Sequence, residues 1–118
     1  MLCHYVVGER TMERQTLFVV EVRVLEPRFE LFAFCRKFDG YCFRPPAGAK
    51  CYIGGLPMKV IECYVHTGKD STVSVIALDY GIVPDMQTFE SVKDKLEVLG
   101  FVLLEREDQL PKLFGGEQ

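Results

Sequence analysis

Hydrophobic positions alternate with polar ones along most of this chain and change period only near its end. The first strong run is Leu17-Phe-Val-Val-Glu-Val-Arg-Val-Leu25. Successive side chains of an extended segment point to opposite faces. Phe18, Val20, Val22 and Val24 therefore line one face, while Glu21 and Arg23 show on the other. Pro27 ends this strand, and Phe29-Glu-Leu-Phe-Ala-Phe-Cys35 resumes as a second. Arg36-Lys37 leads into a turn at Asp39-Gly40, and Pro45-Pro46-Ala47-Gly48 marks a sharper break.

After that break the pattern is a meander. Ala49-Lys-Cys-Tyr-Ile53 is a short strand turned by Gly54-Gly55-Leu56-Pro57, and Met58-Lys-Val-Ile-Glu-Cys-Tyr-Val65 is the next. Thr67-Gly68-Lys69-Asp70 turns the chain into Ser71-Thr-Val-Ser-Val-Ile-Ala-Leu78, which stops at Asp79-Tyr80-Gly81. Three antiparallel strands joined by short glycine turns are the core of a small barrel. Closure is also an economical way for few strands to avoid exposed edges. The period then becomes helical. Phe89, Val92, Leu96 and Leu99 share one face of a helix over 88–99, with Thr88 as N-cap, Glu90 favourable to the dipole and Gly100 as the stop. Phe101-Val-Leu-Leu104 reads as a last strand. The predicted fold is mainly β: a small, SH3-like antiparallel β-barrel with one C-terminal helix.

The 118 residues suit one domain, and no repeat or linker divides them. Residues 16–106 form that barrel domain, after an N-terminal segment, 1–15, and before a loosely held tail, 107–118. The apolar runs are too short to span a membrane, and the start Met1-Leu2-Cys3-His4-Tyr5 lacks the pattern of a signal peptide. A cytoplasmic protein without a membrane partner is expected. Cys3, Cys35, Cys42, Cys51 and Cys63 are odd in number, irregularly spaced and without a C-x-x-C pair, as in a reducing compartment. Net charge is −3 with both signs interleaved, so no basic stripe tracks phosphates and direct nucleic-acid binding is disfavoured. A mildly acidic surface suits a basic peptide.

Candidate chemistry is thin. Cys63-x-x-His66 has a ligand-like spacing, but residues three apart on a strand face opposite sides and cannot chelate one ion. His4, next to Cys3 at an expected mobile end, and His66 belong to no nucleophile–base motif. Gly54-Gly55 and Gly115-Gly116 are turn and tail glycines, since neither opens a helix with a phosphate-binding lysine. No catalytic residue, metal or cofactor is expected, and the chain reads as a binding protein rather than an enzyme.

One stretch carries a family resemblance. Gly48-Ala-Lys-Cys-Tyr52, then Met58-Lys59-Val60, then Val73-Ser-Val-Ile-Ala-Leu-Asp79-Tyr80-Gly81 followed by Val83-Pro84, is similar to a Tudor domain over residues 47–86. Val20 to Phe29, with Pro27, looks like the opening strand of extended Tudor modules, although the connector is too short for their long helix. The resemblance implies an aromatic cage, in which ring faces attract a methylated guanidinium by about 0.5–2 kcal/mol each. Met58, Ala77 and Ile82 stand where the family has two aromatics and an asparagine, so the implied cage is depleted. Tyr80 remains, with Tyr52 and Tyr64 on neighbouring strands. The implied function is a protein-interaction module with a peptide-binding surface of Tyr52, Met58, Tyr64, Asp79, Tyr80 and Ile82 that depends little on arginine methylation. The implied partner is an arginine-rich tail of a Piwi-type Argonaute protein in the piRNA gene-silencing pathway of germ granules. The alternatives are a degenerate module with a purely structural role inside a larger protein, and a small bacterial β-barrel of immunity (toxin-neutralising) or translation-factor type; the plainest reading of Met58, Ala77 and Ile82 is as core residues.

Overall fold

The structure is a computed structural model that describes residues 3–7, 10–40, 44–69 and 71–104. Its elements are β1 (Cys3–Val7), β2 (Arg10–Val24), β3 (Glu30–Asp39), β4 (Lys50–Ile53), β5 (Leu56–Thr67), β6 (Ser71–Val83), α1 (Met86–Val98) and β7 (Val102–Leu104). The strands form one sheet in the order β4-β5-β6-β2-β3-β7, and β1 pairs with the first part of β2. The expected mainly-β fold with one helix is present, but the sheet does not close into an antiparallel barrel. β4 and β7 end that order, β1 is a third strand with one neighbour among the described residues, and β2 runs parallel to β6. Closure is unnecessary here because α1 lies on the hydrophobic stripe that a barrel would have turned inward. The N-terminal segment also belongs to the sheet, since His4 pairs with Glu13 and Val7 with Arg10. The tail, 107–118, and Gly115-Gly116 lie outside the described residues.

The alternation read from β2 has a physical counterpart. Phe18, Val20, Val22 and Val24 join Phe34, Val60, Ile76, Leu78, Phe89 and Leu96 in one buried cluster between the sheet and the helix. The opposite face is not simply polar. Leu17, Val19, Cys35, Val73 and Val75 form a second buried cluster there. Glu21 and Arg23 continue that face where it becomes half-exposed. A strand with partners on both sides and buried on both faces reads as a continuous apolar run, which is how Leu17 to Val20 appear.

Helix α1 begins two residues before the predicted start. Asp85, not Thr88, is its N-cap: the Asp85 carboxylate accepts the Thr88 N–H at 2.9 Å. Phe89, Val92 and Leu96 are the buried face, with the Phe89 ring 4.3 Å from that of Phe32. Gly100, at φ 94°, stops the helix as expected, with its N–H on Glu97 O at 2.9 Å and the Phe101 N–H on Leu96 O at 3.0 Å. The Arg36 guanidinium donates to Leu99 O at the same end. The last strand starts one residue later than predicted because Phe101 is buried as part of this cap.

The cap makes α1 sensitive to acid. Hydrogen bonds from Thr88 hold the Asp85 carboxyl below its ordinary pKa. A depressed carboxylate contributes stability that is present at neutral pH and lost as pH falls through the folded-state value. Asp85→Ala should therefore lower the melting temperature near pH 7. The deficit should shrink as pH falls below about 3.9, the ordinary aspartate value. Thermal unfolding of both proteins across that range checks it, and a deficit independent of pH would exclude a charged cap.

Candidate functional site

The strand β6 does not end at Asp79-Tyr80-Gly81. It continues to Val83 through a bulge at Tyr80. Glu21 is paired with Asp79 and Val22 with Gly81, which leaves Tyr80 unmatched. The Asp79 carboxylate holds this bulge. One oxygen accepts the Gly81 N–H at 3.0 Å and the other accepts from Arg23 Nη2 at 2.6 Å. Gly81 adopts φ 119°, a region open to glycine. The Asp-Tyr-Gly triplet thus uses the local hydrogen bond expected of a turn, but within a continuous strand.

On the other side of β6, pairing with β5 starts only at Lys59↔Asp79. Upstream of Lys59, β5 pairs with β4 instead, so β5 and β6 part beyond this point. A shallow notch of about 270 Å³ opens between them, lined by Lys50, Pro57, Met58, Lys59, Asp79 and Tyr80. Alternation fixes what each strand contributes. Met58 and Val60 turn into the core, so Lys59 turns out, and its partner Lys50 turns out beside it. Tyr80 packs partly against the core from the other wall.

Of the sequence-predicted site residues, Met58, Asp79 and Tyr80 meet in this notch. Met58 is only 3 % exposed and serves mainly as core. Tyr52 is 65 % exposed and lies opposite Pro57, on the rim. Ile82, 56 % exposed, pairs with Arg23 past the bulge. Tyr64 does not line this notch. It pairs with Val75, four pairs beyond Lys59↔Asp79 because β5 bulges at Ile61, or roughly 13 Å at the strand rise of about 3.3 Å per residue. Its phenol is pushed above the ordinary pKa by burial and by nearby Glu62. The three tyrosines therefore do not gather into one cage. Ala77 is buried.

The residues that sequence reasoning missed are Arg23, Lys50 and Lys59. Arg23 already neutralises Asp79, the one carboxylate of the notch. Lys50 and Lys59 face each other directly across β4 and β5, a like-charge pair that costs stability. Neither has a carboxylate partner within ion-pair distance among the described residues. Their signal in the sequence depends on register, which the two-residue Gly54-Gly55 loop could have supplied.

The Cys63 and His66 pair behaves as the strand geometry requires. Cys63 packs toward the helix-side core, its thiol donating to Pro45 O at 3.3 Å and pushed up in pKa by burial. His66 pairs with Val73 of the opposite cluster, so the two side chains diverge. The described residues contain no helix long and apolar enough to cross a membrane. Comparison with protein-family models, with curated proteins and with solved structures gives no match for the chain.

The double role of Asp79 separates two substitutions. Asp79→Ala removes both hydrogen bonds and should cost about 1–3 kcal/mol. Asp79→Asn keeps an oxygen for the Gly81 N–H and should cost less. Gly81→Ala forces a side chain into a glycine conformation and should also cost about 1–3 kcal/mol. Urea unfolding of the three variants checks the ordering, and an Asp79→Asn loss equal to that of Asp79→Ala would exclude the bulge-holding role.

Proposed function

We propose that this chain is a protein-interaction module that binds a peptide segment of a partner at the notch between β5 and β6. The observation that carries this reading is the combination on its rim: an exposed Tyr52, and Lys50 opposite Lys59 with neither lysine ion-paired among the described residues, the neighbouring Asp79 being bound to Arg23. Two like charges held together are relieved by a ligand carboxylate, and an exposed ring offers apolar area at low entropic cost. The resemblance of residues 47–86 to a Tudor domain supports the same class of function. Without a gathered cage, binding in this reading does not depend on arginine methylation. Because Asp79 is engaged by Arg23, the notch favours an acidic ligand side chain over the arginine of a Piwi-type tail.

The test is calorimetric titration with an acidic peptide and with an arginine-rich peptide, the latter unmodified and dimethylated. The acidic peptide should bind in the micromolar range, and Lys59→Glu should weaken it about fivefold at low salt and less at high salt. Tyr52→Ala, at a solvent-exposed position, should weaken it without altering unfolding. Binding of the unmodified arginine-rich peptide alone would reverse the charge assignment and restore a basic tail as the partner. Binding only of the dimethylated peptide would mean that a cage assembles after all. Failure of all three would overturn the interaction-module reading.

A further inference from the structure

Strand β4 is one edge of the sheet, and among the described residues no strand lies outside it. The hairpin dictates which of its backbone groups face outward. Gly54 and Gly55, at φ 57° and 86°, form a two-residue loop, so the flanking pair Ile53↔Leu56 exchanges hydrogen bonds. Bonded pairs then recur at every second position. Cys51↔Met58 is the next. Beyond it the Val60 N–H donates to Ala49 O and Val60 O accepts from the Gly48 N–H, both at 2.8 Å. Lys50 and Tyr52 fall between these pairs, so their N–H and C=O groups point away from β5. The partner of Tyr52 agrees with this phase: it is Pro57, which has no N–H to offer.

The two faces flanking this edge differ. On one, Lys50 and the 65 % exposed Tyr52 stand beside Lys59. On the other, the hairpin turn meets the end of α1 in a mainly apolar groove of about 250 Å³, lined by Gly54, Leu56, Val98 and Leu99 with Lys95 beside them. Val98 is 86 % exposed, and a Cβ on Gly54 would approach Leu99 to 2.5 Å. The turn can sit this close to the helix end because Gly54 has no side chain. Lys95, like Lys50 and Lys59, has no carboxylate at ion-pair distance among the described residues.

We infer that β4 is a docking edge for an extended segment of a partner protein in which acidic residues alternate with apolar ones. The added strand hydrogen-bonds to Lys50 and Tyr52. Its acidic side chains lie beside Lys50, and its apolar side chains point to the opposite face and enter the groove at Leu56, Val98 and Leu99. This rests on the peptide-binding reading above, moves the bound segment from the notch to the adjoining outer edge of β4, where Lys50 borders both, and adds the pattern of the ligand.

The test uses the full chain and blocked peptides of about eight residues. One alternates glutamate and valine, a second has the same composition as two blocks, and a third is the alternating peptide with every second amide N-methylated. The alternating peptide should bind at least about tenfold tighter than the other two. On binding, the backbone amides of Lys50 and Tyr52 should become protected from hydrogen exchange. Val98→Gln, a neutral helix-forming change at an exposed position, should weaken binding about tenfold with little change in unfolding. Binding that leaves those two amides unprotected and tolerates N-methylation would overturn strand addition while leaving the notch as the peptide site. Failure of the alternating and block peptides alike would overturn the peptide-binding reading itself.

Discussion

The fold depends on the phase between β2 and β6, and the Asp79 carboxylate braces the bulge at which that phase changes. Before the bulge, Ile76 and Leu78 share the helix-side face with Phe18 and Val20. Because side-chain direction alternates with every residue, a slip of one position would turn all later side chains over. The extra residue at Tyr80 makes such a shift deliberately. It leaves Val83 buried at 4 % exposure opposite Val24, and sends Ile82 to solvent opposite Arg23. Asp79 stabilises the shift from both sides, through the Gly81 N–H within its own strand and through Arg23 on the neighbouring one. The notch is a consequence of the same event, since β6 leaves β5 where the bulge begins.

This explains why local patterns were legible and the topology was not. Alternation in β2 and in β4 to β6 depends on burial of one row of side chains, and burial writes itself into residue type. The helix was equally visible through Phe89, Val92 and Leu96. Whether β6 lies antiparallel in a closed barrel or parallel against β2 is decided by contacts between residues far apart in the chain, such as Val20 with Leu78. Such pairings leave no periodic trace. The Asp79-Tyr80-Gly81 triplet carries the residues of a turn and makes the hydrogen bond of a turn, and only the two strands flanking it convert that turn into a bulge. At the helix start, Asp85 and Thr88 are both capping residues, and the one whose side chain reaches the other's N–H wins.

The site was half-legible for related reasons. Tyr80 and Asp79 could be found because their triplet is distinctive, and Tyr52 because it is an aromatic on a strand read as neighbouring theirs. Tyr64 was grouped with them by residue type, but strand rise separates it from them by several pairs. Lys50, Lys59 and Arg23 were hidden because each is unremarkable alone. Their meaning comes from the cross-strand row Lys50, Lys59, Asp79, Glu21, which only register reveals.

That row also bears on how an open sheet stays selective. Edges invite indiscriminate pairing, and short edge strands with charged residues are the usual protection. β7 has three residues and β4 has four, with Lys50 at the start of β4. Across the sheet the row runs from two cations at the β4 edge to two anions at its centre, with Arg23 bound to the first of those anions. A strand approaching β4 with a cation opposite Lys50 would meet like charge directly, while an acid there extends the row with opposite sign. A charge that protects an edge from most strands is therefore the same charge that selects one kind of strand to accept.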